Sequence, residues 1–203
     1  MKTLLLATHN AHKVKELRDM IGTDEQLSKA YQVVSMHDID YHEDIIEDGD
    51  SFAENALIKA KVGAALGYIT VADDSGLSVD ALGGAPGVYT ARYAGEHATD
   101  ADNRAHLLQN MKDVPREQRK AKFISAIACV FPDGTQFVVE GACEGEILFE
   151  EKGEGGFGYD SLFYHEGIGK TFAEASDSEK NSISHRGVAM QKFCQTIKER
   201  YLS

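Results

Sequence analysis

The chain has no tryptophan, 3 prolines and 3 cysteines among its 203 residues. With so few prolines and no Pro/Gly/Ser-rich stretch, nothing marks a linker, and one compact domain, or two lobes sharing one sheet, is expected. Cys129, Cys143 and Cys194 are odd in number and show no C-x-x-C spacing. That leaves no basis for a disulfide framework or a dithiol redox motif, and they read as reduced thiols of a cytoplasmic protein. No stretch approaches the ~20 apolar residues of a membrane helix, so no membrane partner is expected. The opening MKTLLLATHN imitates a secretory signal, but its apolar run stops at Ala7, too short for such a segment. Positive charge is scarce: 21 Lys and Arg stand against 33 Asp and Glu, a net charge of −12. A chain so acidic is a poor partner for nucleic acid, although a small anion can bind in a local basic pocket or through a metal ion.

What the chain does contain is a core's worth of apolar residues, 42% by count, arranged first as alternating strand and helix patterns. Leu4–Ala7 reads as a buried strand, and Ala11–Ile21 as a helix with Val14, Leu17 and Ile21 on one stripe. Val33–Met36 is a second strand, and His37–Asp50 is acidic and irregular. Ser51–Leu66 is the firmest helix, its start marked by a capping box, Ser51 with Glu54. Ile69–Asp73 is a strand, followed by a glycine-rich loop region from Gly76 to Ala98. Thr99–Met111 is helical and capped by Thr99. Ala121–Phe131 and Gln136–Glu146 form a hairpin turning at PDGT. Leu162–Tyr164 is a short strand, and Ser184 caps a last helix, His185–Tyr201. Alternation followed by a hairpin predicts an α/β protein with a mixed sheet.

Five stretches carry polar chemistry. ATHNAHK, Ala7–Lys13, runs from a strand into a helix start, where free N–H groups and the positive dipole end suit a phosphate; the stretch equally fits an ordinary capped helix. No G-x-x-x-x-G-K-[ST] loop is present, so this is not a Walker A site. Glu47 lies in an acidic loop, which alone reads as solvated. Asp73 and Asp74 adjoin in VADDSG, and by alternation their side chains point to opposite faces and do different jobs. Read alone, they fit a turn; read with Glu47, they suit Mg²⁺, which takes hard oxygens, waters and substrate phosphates. GEGGFGYDSLFY combines conformationally free glycines with Phe157 and Tyr159, flat faces on which a nucleobase can stack, and with Asp160, an acceptor. It also fits a tight loop pinned by buried aromatics. SEKNSISHRG gathers Lys180, His185 and Arg186 as donors near a helix start; surface charges on a capped helix are the plainer alternative. Together these are the parts of a nucleoside-triphosphate site.

In this order, ATHNAHKVKEL, FAENALIKA, ADDSGLSVDALGGAPGVYTARYAG, GGFGYDSLF and SHRGVAM resemble the motifs of the inosine triphosphate pyrophosphatase family, from Leu4 to about residue 195. The resemblance implies an α/β fold of two lobes around a long mixed sheet with a cleft between them, a homodimer, and Mg²⁺ as cofactor. It implies hydrolysis of ITP, dITP and XTP to the monophosphate and pyrophosphate. By position, Thr8, His9, Asn10, Ala11, His12 and Lys13 would bind the triphosphate, with Lys59 facing the phosphates from its helix. Asp74 would accept the proton and touch the metal, Glu47 would be a second ligand, and Asp73 would support the metal site. Ser75 would contact substrate; Phe157, Gly158, Tyr159, Asp160, Lys180, His185 and Arg186 would hold the nucleoside end. Two positions depart from the family pattern: His9 stands where smaller or amide residues are common, and Ser161 where proline often follows GYD. The alternatives are a Maf-like pyrophosphatase of pyrimidine or modified nucleotides, and a nucleotide-binding protein without turnover.

Overall fold

The structure, a computed structural model, describes residues 1–202, the side chain of His12 excepted. It is α/β. A seven-stranded mixed sheet has the order β2-β1-β3-β4-β5-β6-β7. Its strands are β1 (Lys2–Leu6), β2 (Tyr31–Ser35), β3 (Ile69–Val79), β4 (Lys120–Val130), β5 (Gln136–Ile147), β6 (Phe163–His165) and β7 (Lys170–Thr171). The helices are α1 (Ala11–Thr23), α2 (Glu25–Ala30), α3 (Phe52–Ala65), α4 (Asp100–Asn110), α5 (Asp177–Ile183) and α6 (His185–Tyr201). β1 pairs in parallel with β2 and β3, whereas β6 pairs antiparallel with β5 and β7.

The chain forms two compact units. Unit 1 comprises Met1–Asp74, Ala126–Glu140 and Ala189–Ser203; unit 2 comprises Ser75–Ser125 and Gly141–Val188. The boundaries fall inside β3, β4 and β5.

In unit 1 the predicted stripe of α1 is the core face: Val14, Leu17 and Ile21 are buried with Leu4 and Leu6 of β1 and Ala189, Phe193 and Ile197 of α6. Each fully buried Leu or Phe contributes about 1.5–3 kcal/mol of transfer free energy. α2 is absent from the sequence reading; a single turn and a half gives no period to detect. It forms because Asp24 caps it, accepting from the N–H groups of Gln26 and Leu27, and because Leu27 anchors it in the core. α3 starts where expected, with the Ser51 hydroxyl accepting from Glu54 N–H. The reciprocal half of the expected box differs. The Glu54 carboxylate takes the N–H of Asp50, one residue earlier, at 2.7 Å.

The strand predicted to end at Asp73 continues to Val79. Asp74 and Ser75 therefore lie within a strand and not in the turn that their residue types also allow. Leu77 and Val79, both fully buried, extend the strand by giving it an inward face in unit 2. That core also takes Leu107 of α4 and Met111 just after it, Phe123 of β4, and Leu162, Phe163 and Phe172. Arg119 is fully buried there. Its guanidinium donates to the carbonyls of Met111, Val114, Ile147 and Leu148, tying the end of α4 to the end of β5. The hairpin turn at PDGT is as read, closed by Phe131 N–H to the Thr135 carbonyl at 2.8 Å. β7 and α5 are the remaining unpredicted elements, two and seven residues long.

Candidate functional site

In unit 1, β1 delivers Thr8–Asn10 to the start of α1. Asn10 caps the helix, its side-chain oxygen accepting from Lys13 N–H at 3.3 Å, and its own N–H donates to the Thr8 hydroxyl. His9, Asn10 and Ala11 are exposed, leaving the first turn open to solvent. The side chain of His12 lies outside the described part. Lys13 turns inward from α1, and its Nζ sits 2.9 Å from Oδ2 of Asp73, a carboxylate only 6% exposed.

Asp74 meets a different lysine. Lys59 Nζ, from α3, lies 2.7 Å from Glu47 Oε2 and 3.4 Å from Asp74 Oδ1. Strand alternation thus gives the two neighbouring aspartates separate partners, as the sequence predicts. Lys59 is buried because α3 turns the face bearing Asn55 and Lys59 inward as well as the face bearing Phe52, Ala56 and Ala60. Burial would lower the Lys59 pKa, but the charges of Asp74 and Glu47 outweigh it and leave it raised. Asp74 titrates above the ordinary aspartate range: burial raises it, Lys59 opposes this, and the like charge of Glu47 adds to it. Asn55 was not singled out as a site residue, yet its side chain hydrogen-bonds Asp74 and accepts from Gly49 N–H at 2.9 Å. The available signal was its place one turn before Lys59 on the same helix face.

The carboxylates of Glu47 and Asp74, gathered on one ammonium, are hard oxygen donors of the kind a divalent cation takes. Among the described residues no group of three or more His, Cys, Asp or Glu forms a metal cage. That donor set fits Mg²⁺, which commonly keeps one or two carboxylates and completes its shell with water and phosphate.

Unit 2 carries the other predicted residues. Ser75 accepts from Arg186 Nη2 at 3.4 Å. The His185 ring stacks on Phe123, 4.9 Å between centroids and 17° apart in plane. Lys180 pairs with Asp160 at 2.6 Å, and its ammonium lies 4.6 Å from the centre of the Phe157 ring. Asp160 also accepts from Phe157 N–H at 2.9 Å. Gly156, with φ +72°, is required here: a Cβ would collide with the Asp160 carboxylate. The two aromatics of the loop part company. Phe157 is 65% exposed, whereas Tyr159 is buried, its hydroxyl donating to the Thr90 carbonyl at 2.8 Å. Only Phe157 offers an open face for stacking; Tyr159 anchors the loop.

Comparison with known proteins places this arrangement. The family model described as the Ham1 family matches residues 4–196. A dITP/XTP pyrophosphatase of Desulforamulus reducens is 48% identical over 200 residues, covering 98% of this chain and 97% of that protein. A dITP/XTP pyrophosphatase of Corynebacterium diphtheriae is 46% identical, covering 96% of each. Among solved structures, a HAM1 protein from Coxiella burnetii superposes with a TM-score of 0.90 at 36% identity, covering 98% of this chain and 100% of that one. The dITP/XTP pyrophosphatase from Mycobacterium abscessus superposes at 0.80 with 43% identity, covering 94% and 98%. Matched in sequence and in backbone along nearly its whole length, the chain belongs to the Ham1 family.

Proposed function

We propose that the protein hydrolyses deaminated purine nucleoside triphosphates, ITP, dITP and XTP, to the monophosphate and pyrophosphate, and so clears them from the nucleotide pool. The observation that carries this reading is the Glu47–Lys59–Asp74 group, a partly buried carboxylate pair held by one ammonium. The near full-length likeness to dITP/XTP pyrophosphatases supports the same substrate class. A family match that runs across both units supports one functional domain, and the proposal includes its acting as a cytoplasmic homodimer.

Glu47 and Asp74 would hold Mg²⁺, with Asp73 supporting that site through Lys13. When bound, the ion neutralises charge on the phosphates. The open first turn of α1, Thr8 to Lys13, binds the phosphate chain through its N–H groups. Asp74 accepts a proton from the water that attacks the α-phosphorus. Lys59 fixes that carboxylate from one side and Asn55 from the other.

Phe157 stacks on the base, held by the loop of Gly158, Tyr159 and Asp160. Lys180, His185 and Arg186 donate toward a 6-oxo group, with Ser75 steadying Arg186. Adenine places an amino group there, and a buried donor left without its acceptor costs about 1–3 kcal/mol, roughly ten- to hundred-fold in selectivity.

The test is a panel of ITP, XTP, ATP, dUTP and UTP with Mg²⁺, assayed separately for pyrophosphate and orthophosphate. Pyrophosphate released fastest from ITP and XTP is expected. Orthophosphate as first product would overturn the reaction class, preference for pyrimidines would favour a Maf-like enzyme, and tight binding without release would favour a sensor.

A further inference from the structure

The Phe157 loop is gripped by residues that lie outside all five sequence stretches. Asp100 and Arg104 stand four residues apart near the start of α4, on one helix face. Gly158 N–H donates to Asp100 Oδ2 at 2.8 Å, and the Gly158 carbonyl accepts from Arg104 Nη1 at 2.9 Å. Both peptide groups flanking one residue, itself at φ +59°, are therefore held by one helix. The same guanidinium uses Nε to reach Glu151 Oε2 at 2.8 Å, and the Ser161 hydroxyl donates to that oxygen at 2.9 Å. Arg104 thus joins the loop's tip at Gly158 to its base, where Glu151 and Ser161 meet.

We propose that Arg104 and Asp100 are positioning residues for nucleotide selection: they fix the backbone next to Phe157 so that its exposed ring is set before the base arrives. This rests on the reading of Phe157 as the stacking face. An aromatic ring at 65% exposure on a free loop would lose orientational freedom on stacking, at a cost in affinity. Here the backbone on both sides of it is fixed in advance, through Asp160 on the Phe157 N–H and through the α4 pair on Gly158. The Arg104–Glu151 pair has one well-exposed partner and adds little to overall stability. Its consequence is geometric. Ser161 fits the same device: where proline would stiffen the chain by itself, this chain uses a hydroxyl bonded to Glu151.

The experiment is a double-mutant cycle on ITP hydrolysis, with thermal melting as the folding control. Arg104→Ala should raise KM about ten-fold, with kcat within about two-fold of wild type, the pattern of a misplaced binding face. Arg104→Lys keeps one donor for the Gly158 carbonyl and should recover part of the loss. Asp100→Ala should move KM in the same direction, and carries the test if Arg104→Ala does not fold. In a Phe157→Ala background the effect of Arg104→Ala on KM should shrink to less than about two-fold. An Arg104→Ala penalty that persists unchanged without Phe157, or an unchanged KM in the folded single variants, overturns the proposal and leaves the stacking reading standing. An unchanged KM in Phe157→Ala removes the stacking reading and the proposal together, while a wild type inert toward ITP and XTP removes the proposed function itself.

Discussion

Glu47, Asp73 and Asp74 in unit 1 set three carboxylates against two lysines, Lys13 and Lys59. The Phe157 loop of unit 2 is built otherwise. Its ion pairs, Lys180 with Asp160 and Arg104 with Glu151, are matched, and hydrogen bonds to backbone supply the rest. The first group holds an excess of negative charge in a partly buried place, where the proposed cation would bind. The second is already satisfied and holds a shape. One region stores electrostatic potential, the other stores geometry, and substitutions should hurt them in different currencies: turnover and charge-dependent stability in the first, KM in the second.

The comparison is sharpest at Asp74. Asp74→Asn should lower kcat by about 10²–10⁴, the range for loss of a general base, while leaving the melting temperature at or above wild type. The gain in stability is expected because a partly buried carboxylate is replaced by a neutral amide. A steady-state assay beside a thermal melt checks both. Next comes Lys59→Met, which leaves Glu47 and Asp74 facing each other. Breaking a buried pair costs about 3–5 kcal/mol, discounted here to about 2–3 because Glu47 is a third exposed. Without Lys59 the charge that opposes the rise in the Asp74 pKa is gone, so the loss should be large at pH 8 and shrink toward pH 5 as Asp74 protonates. Urea unfolding at the two pH values measures it, and an equal loss at both would remove the electrostatic account.

Phe157→Ala tests the other side. Its stacking is worth about 1–3 kcal/mol per base, so KM for ITP should rise about ten-fold or more with little change in melting temperature. A fall in kcat without a rise in KM would erase the distinction between the regions. The smallest effect concerns the thiols. Burial pushes Cys129 up to about 12, and Cys143 and Cys194 up to about 11. At pH 8 a thiol reagent should label none of them until the protein is unfolded.

The sequence was most readable where one local rule was sufficient. Ser51, Thr99 and Ser184 each cap the helix expected of them, and the PDGT turn closes as its residues dictate. The separate lysine partners of Asp73 and Asp74 are what alternation alone leads one to expect. What could not be read depends on partners far along the chain. The ion pair of Lys13 could not be read because Asp73, its counter-ion, is sixty residues away in sequence. Tyr159 and Phe157 looked alike, two residues apart, until the Thr90 carbonyl and the core of unit 2 claimed one ring. β3 was cut short because Asp and Ser favour turns, and only the buried Leu77 and Val79 beyond them reveal a continuing strand.

That continuing strand has a consequence for how the gene can vary. Asp73 and Asp74 lie inside a run of paired backbone, so their facing is counted in steps of two along β3. A single codon gained just before them would shift the register and offer Asp73 to Lys59, whereas a single codon lost would offer Asp74 to Lys13. The composition would be almost unchanged, yet one carboxylate would face the other's lysine. Substitutions in the first part of β3 are open to gradual trial; insertions and deletions there are not.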